Sequence, residues 1–221
     1  MESILDRLHA GARGFFALQR LAIISRLLLA LAFVPTALIK VQGLPFTVMG
    51  TDTPIGYFFD AMHRTGGYWR FIGWAQLLTG LLLLIPRTAT LGAVLFLPIV
   101  LNIFVITVAL DFKGTPYVTG LMLLAAVFLL CWDYDRLKGL LFRSAEPRVP
   151  VPATVPVTRL ELGGYVLGTA AGLVVLSAQR SLVPARLVLP ALAVGGVAAL
   201  LVLAAWLGRL LTRGRIPAAT T

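Results

Sequence analysis

The sequence has few of the residues that ligate metals or carry reducing equivalents. Its 221 residues include one cysteine and two histidines. The single cysteine, Cys131, excludes an intramolecular disulfide and a Cys-x-x-Cys redox pair. His9 precedes the first apolar stretch and His63 lies in a loop, so neither is placed to ligate a haem inside a helical bundle. No cysteine or histidine spacing is typical of zinc or iron–sulfur sites.

Acidic residues are also scarce, with nine Asp and Glu against 19 Lys and Arg. All nine lie near the ends of apolar stretches, in loops or in the amino-terminal segment. Proton pumps and membrane isomerases usually place a carboxylate deep in the membrane, because a proton must be accepted there. The sequence therefore favours a noncatalytic protein, with no intrinsic haem, metal, disulfide or buried-carboxylate chemistry.

Hydrophobic sequence is abundant: 59% of residues are hydrophobic and only 13% are charged, whereas soluble domains carry about 25% charged residues. Six stretches approach the length of a membrane-spanning helix. They are at about 21–41, 71–86, 89–110, 117–132, 162–178 and 185–207. We predict an all-α, polytopic membrane bundle of about six transmembrane helices, with a four-helix core and a carboxy-terminal helical hairpin.

Composition also predicts the boundaries along the chain. Apolar residues in 1–20 recur at helical spacing, which predicts an amphipathic helix on the inner membrane surface with Asp6, Arg7 and Arg13 towards water. The four-helix core takes 21–142. Four prolines in 143–159 are typical of a semi-rigid linker. The hairpin takes 160–211 and a tail takes 212–221.

The basic residues predict the orientation in the membrane. With both termini in the cytoplasm, 13 Lys and Arg lie inside and six outside, in keeping with the enrichment of cytoplasmic loops in these residues. We therefore expect a multi-pass protein of the inner (cytoplasmic) membrane with both termini cytoplasmic. The net charge of +10 is spread between apolar stretches, so the expected partner is the lipid bilayer and not nucleic acid.

Polar side chains in and beside the first three stretches form the candidate site. Gln76 lies 12 residues before Thr88, in the turn between the second and third stretches, and Asn102 lies 14 residues after it. Because a helix rises about 1.5 Å per residue, the two amides should lie at matched depth. The six candidate residues are Arg26, Thr36, Lys40, Gln76, Thr79 and Asn102.

Two interpretations of this cluster are open. The amides could form an interhelical clamp, which contributes about 0.6–2 kcal/mol in a membrane. They could instead line a headgroup pocket that binds a quinone or lipid carbonyl. Arg26 and Lys40 lie near opposite ends of the first helix, and the simpler expectation is that each extends to its own membrane interface.

Glycines recur at helical spacing at Gly73 and Gly80 in the second stretch and at Gly164, Gly168 and Gly172 in the fifth. Such faces allow close helix packing. The fifth helix should pack on the sixth or on a second copy of the protein. In the longest loop, 41–70, aromatic and charged residues predict a short helix from Pro54 to Arg64 and a lid over the bundle mouth.

Residues 20–142 resemble the DoxX family. The resemblance rests on Arg26, on Lys40 at the outer end of the first helix, and on GWAQLLTGLLLL, which follows the family pattern G-x-x-(E/Q)-x-x-x-G-LLL. The turn RTATLG at 87–92, NIF at 102–104 and WDY at 132–134 are also similar. Many members carry Glu where this chain has Gln76. The last two predicted helices lie outside the resemblance.

The resemblance implies a small membrane subunit of quinone-linked oxidoreductases, including those of thiosulfate oxidation, or of complexes that resist oxidative stress. We therefore expect a noncatalytic or quinone-adjacent subunit of a redox or oxidative-stress-related membrane complex. Any haem, metal or flavin would belong to a membrane or peripheral redox partner, and quinone or lipid is the candidate ligand. The alternatives are a structural or assembly membrane protein with no small-molecule ligand and, less favoured, a small-solute transporter.

Overall fold

The structure is a computed structural model that describes residues 2–47, 49–141 and 152–213. Within these ranges all regular structure is helical, as predicted. The helices are α1 (Glu2–Gly14), α2 (Phe16–Val41), α3 (Pro54–Arg64), α4 (Gly67–Leu84), α5 (Ala89–Ala109), α6 (Thr115–Trp132), α7 (Tyr134–Leu141), α8 (Arg159–Gln179) and α9 (Val188–Arg213). Most of the predicted linker, 143–151, and most of the tail, 214–221, lie outside the described residues.

Five described segments are long and apolar enough to cross a membrane. They are Phe16–Val41, Ala89–Ala109, Thr115–Trp132, Arg159–Gln179 and Ala185–Leu211. The other predicted span, α4, is 18 residues long and is not in this set. The predicted short helix of the long loop is confirmed as α3. Its start is fixed by Thr53, whose hydroxyl accepts the Gly56 N–H at 3.1 Å, and by Pro54 at the first helical position.

The chain divides into two compact units, Met1–Val155 and Pro156–Thr221. In the first unit α2 packs on α4 and α6, and α5 packs on α4 and α6, which closes a four-helix bundle. Its centre is apolar, and the Phe33 and Phe96 rings stack at 4.0 Å between centroids. The outward faces are apolar too, as at Leu101, Val105 and Val108 of α5. A surface of this kind is suited to lipid.

The predicted orientation of α1 is wrong at Asp6. This side chain is 8% exposed and forms an ion pair with Lys138 at 2.6 Å instead of facing water. Ile4 and Leu8 are 57% and 66% exposed. The polar face of α1 thus packs on the protein and its apolar face points outward, because the charged side chains find partners at the end of α6 and in α7.

In the second unit α8 and α9 form a hairpin with glycines at their contact. A Cβ at Gly164 would lie 2.8 Å from the Ala198 carbonyl oxygen, and one at Gly168 would lie 3.5 Å from the Ala198 Cβ. Gly172 is half-buried. Because α9 already covers Gly164 and Gly168, a homo-oligomer formed through α8 would have to use another face of this helix.

Adjacent glycines of α8 provide a matched pair for testing this contact. Gly164→Ala should lower stability by about 1–3 kcal/mol, because the new methyl group would lie 2.6 Å from Val202 Cγ2 and must push α9 away. Gly163→Ala meets nothing within 4 Å and should stabilise the helix by up to about 1 kcal/mol. Thermal unfolding of both variants in detergent measures the difference, and equal shifts would contradict the packing.

Candidate functional site

The structure does not bring all six predicted polar residues into one cluster, because Arg26 lies far along α2 from Lys40 and Asn102 is exposed. Thr36 Oγ1 donates to the Ala32 carbonyl at 3.0 Å and Thr79 Oγ1 to the Ala75 carbonyl at 2.7 Å, so both hydroxyls bond within their own helices. Arg26 and Lys40 lie 14 residues apart on α2, or about 21 Å along its axis. The sequence correctly separates these two charges along α2, but it does not predict what surrounds them.

Gln76 and Asn102 do not form the expected pair. Gln76 is 3% exposed, and its Oε1 is buried without a hydrogen-bond partner. Asn102 is exposed on α5. The α5 residues Phe96 and Val100 face the core, and Asn102 follows Val100 by two residues, or about 200° around the helix. Matched depth therefore does not bring the amides together, because their directions differ.

Gln76 belongs to a stripe of small and polar residues on the face of α4 that meets α2. Gly73, Thr79 and Gly80 share this buried face. A Cβ at Gly73 would lie 2.7 Å from the Val41 backbone nitrogen, so the two helices approach closely one turn before the amide. An unsatisfied buried acceptor costs about 1–3 kcal/mol. The buried Gln76 Oε1 therefore lowers the stability of the folded protein.

Lys40, near the end of α2, is enclosed by aromatic side chains. The residue is 6% exposed, and its Nζ donates to the Thr36 carbonyl at 3.3 Å. The ammonium lies 4.7 Å from the Phe46 ring centroid and 5.3 Å from that of Trp69. Cation–π attraction and this backbone bond replace water around the charge.

The long loop covers the same end of the bundle as Lys40. The Trp69 indole donates to the Leu44 carbonyl at 2.9 Å, and His63 Nε2 lies 2.9 Å from the Gly43 carbonyl oxygen. The Phe59 ring lies 6.3 Å from that of Phe112, just beyond the end of α5. The loop is therefore anchored by hydrogen bonds at its two ends and by aromatic contacts at α3.

At the opposite end of the bundle, Asp133 joins three helices. Arg26 Nη2 donates to Asp133 Oδ2 at 3.1 Å, and Thr90 Oγ1 donates to the same oxygen at 2.7 Å. Arg136 Nη1 in turn donates to Thr90 Oγ1 at 2.9 Å. Asp133 is 6% exposed. The sequence predicted Arg26 but missed its partner, although Asp133 ends the fourth apolar stretch at the depth of the turn that carries Thr90.

The amino-terminal helix is fastened beside this cluster. His9 Nε2 lies 2.9 Å from the Trp132 carbonyl oxygen, and His9 Nδ1 lies 3.4 Å from Asp135 Oδ1. The Arg13 guanidinium lies over the Trp132 ring, 4.6 Å from its centroid. These contacts and the Asp6–Lys138 pair hold α1 against the end of α6 and the start of α7.

The second unit contains a buried carboxylate that the sequence analysis missed. Glu161 is fully buried, and it accepts hydrogen bonds from Trp206 Nε1 at 3.0 Å and from the Tyr165 hydroxyl at 3.1 Å. It also completes a capping box with Thr158 at the start of α8. The spacing Thr-x-x-Glu before an apolar run is the signal that predicts such a cap. Its bonds to both helices make Glu161 a structural anchor of the hairpin.

Within the described ranges, no group of three or more His, Cys, Asp and Glu side chains is arranged to hold a metal ion. Cys131 is exposed on α6.

The chain is similar to the uncharacterized protein YwoB of Bacillus subtilis (strain 168), with 38% identity over 105 residues. The match covers 48% of this chain and 60% of YwoB, so the chain spans about three-fifths of that relative's length. No family model and no solved structure matches the chain. The resemblance to the DoxX family therefore stays a prediction.

The Asp133 cluster can be tested against an exposed pair in the same unit. Asp133→Ala should lower the free energy of unfolding by about 3 kcal/mol, because it leaves the Arg26 guanidinium without its counter-ion. Asp60→Ala removes the partner of Arg64, a side chain that is 77% exposed, and should cost less than about 1 kcal/mol. Thermal unfolding in one detergent compares the two, and similar losses would argue against a stabilising role of the Asp133 cluster.

Proposed function

We propose that this chain is a noncatalytic, quinone-adjacent subunit of a redox or oxidative-stress-related membrane complex. The observation that supports this function is the buried Oε1 of Gln76, which has no hydrogen-bond partner in the described chain. A leucine at this position would fill similar space without the desolvation penalty. A ligand that supplies the missing bond would account for an amide that is costly to keep.

A carboxamide is chemically suited to a redox-active ring that changes between two forms. A quinol hydroxyl donates to the amide oxygen, and a quinone carbonyl accepts from the amide N–H₂ when the amide turns over. Gln76 would therefore contact either form while taking no part in the electron transfer, which belongs to the partner subunit. In this role the chain positions or stores quinone within the membrane.

The proposed membrane arrangement has six crossing helices, with α4 as the sixth. Trp69, near the start of α4, lies beside Lys40 at one end of the bundle. Thr90, soon after the end of α4, bonds Asp133 at the other. Because α4 connects these two ends, we infer that it runs across the membrane between α2 and α5. Both termini lie in the cytoplasm of an inner-membrane protein in this proposal, following the distribution of basic residues.

A structural or assembly protein is the second candidate, and the close approach at Gly73 favours it. A Cβ there would lie 2.8 Å from the Lys40 Cβ, so α2 and α4 are in direct contact one turn from Gln76. In this candidate the amide is part of a packed interface and binds no small molecule.

Gln76→Leu separates the two candidates. If the amide binds quinone, the quinone that copurifies with the protein in native lipid should fall about tenfold, the equivalent of one good buried hydrogen bond. Thermal stability should stay equal or rise, because the unsatisfied acceptor is removed. The measurements are mass spectrometry of extracted quinones and thermal unfolding.

Thr79→Val is the matched control, because it removes a buried hydroxyl that bonds within α4, to the Ala75 carbonyl. It should leave the quinone content unchanged. If Gln76→Leu also leaves quinone unchanged but lowers the recovery of copurifying proteins, the assembly role replaces the quinone role.

A further inference from the structure

Positive charge exceeds negative charge around Asp133. Arg26 is paired to Asp133 directly, and Arg136 is joined to it through Thr90. Arg13 and Arg136 both lie near enough to Arg26 for their charges to repel it. Three guanidinium groups therefore surround one carboxylate.

The neighbouring acids Asp6 and Asp135 contact side chains outside this group. Asp6 is paired with Lys138 at 2.6 Å, and Asp135 lies 3.4 Å from His9. Asp6 thus has a cationic partner of its own, and Asp135 contacts the His9 ring. The three arginines and Asp133 together carry a net charge of +2 at neutral pH, in a place where Asp133 is only 6% exposed.

Two of the arginines also have an N–H group that donates no hydrogen bond within the described chain. The Nε atoms of Arg13 and Arg26 are buried and have no hydrogen-bond partner. Arg136 is exposed, so the cluster is open to its surroundings on that side. A guanidinium presents its donors as a planar fork that matches the oxygens of a phosphate group.

We propose that Arg13, Arg26 and Arg136 form a binding site for a phosphate ester at this end of the first unit. Tetrahedral phosphate oxygens would accept from several guanidinium groups at once and would offset the excess charge. This site is at the opposite end of α2 from Lys40, and it is independent of the proposed quinone role of Gln76.

The surroundings favour a phospholipid headgroup as the source of the phosphate. Phe15, two residues after Arg13, is 66% exposed, and Leu91, next to Thr90, is 52% exposed. Leu28, two residues after Arg26, is 58% exposed. Exposed apolar side chains beside a basic site are what acyl chains would contact when the headgroup is bound.

The test is native mass spectrometry of the full-length protein in detergent with added phosphatidylglycerol. Arg136→Gln should reduce the bound fraction about tenfold, because one charge-assisted hydrogen bond and one positive charge are lost. Since Arg136 is exposed, this variant should keep its fold. Arg64→Gln removes the same charge from an exposed helix at the other end and should bind like the unaltered protein.

A comparison with inorganic phosphate distinguishes two sources of the bound phosphate group, a phospholipid headgroup and a soluble phosphate. If phosphatidylglycerol binds and depends on Arg136, the lipid assignment holds. If only inorganic phosphate raises the melting temperature, relative to chloride at equal ionic strength and with the same dependence on Arg136, the phosphate site stands and its source is soluble. If Arg136→Gln and Arg64→Gln bind phosphatidylglycerol equally, and phosphate raises the melting temperature of neither variant, the site does not exist. Arg13→Lys, which keeps the charge and loses the fork, should give an intermediate loss.

Discussion

The ion pair of Arg26 and Asp133 is the contact on which the first unit depends. It joins α2 to the end of α6, and Thr90 brings the start of α5 to the same carboxylate. A buried ion pair contributes little by itself, but each member is costly to leave alone. The pair therefore holds α2, the start of α5 and the end of α6 at the same level of the bundle.

The opposite end of α2 handles its charge differently. The Lys40 ammonium lies against the Phe46 and Trp69 rings and donates to a backbone carbonyl. Phe46 belongs to the long loop, and Trp69 is held by its hydrogen bond to Leu44 of the same loop. The bundle therefore has two chemically distinct ends, one with an ionic cluster and the other with a lysine enclosed by aromatic rings. Gln76 lies on the helix that joins them.

Apolar stretches predicted the long helices, and the aromatic and charged residues of the long loop predicted α3. Rotation about each helix axis could not be predicted in the same way. Asn102 lies at the expected position on α5 but faces outward, because packing of Phe96 and Val100 decides which side is inward. The orientation of Asp6 was predicted wrongly for a related reason: its partner Lys138 lies 132 residues away, and local sequence does not reveal it. The Glu161 cap has a local signal in Thr158, but the bond from Trp206, 45 residues away, does not.

The inverted polarity of α1 has a consequence for biosynthesis. His9 and Trp132, which bond to each other, are 123 residues apart. Asp6 and its partner Lys138 are 132 residues apart. At about 5–20 residues per second, translation needs roughly 6–25 seconds to cover that interval. Until then the polar face of α1 has no protein partner, while Ile4 and Leu8 can already enter the lipid headgroup layer. Helix α1 is thus made well before the residues that it packs on, and it can dock only after α6 and α7 have been made.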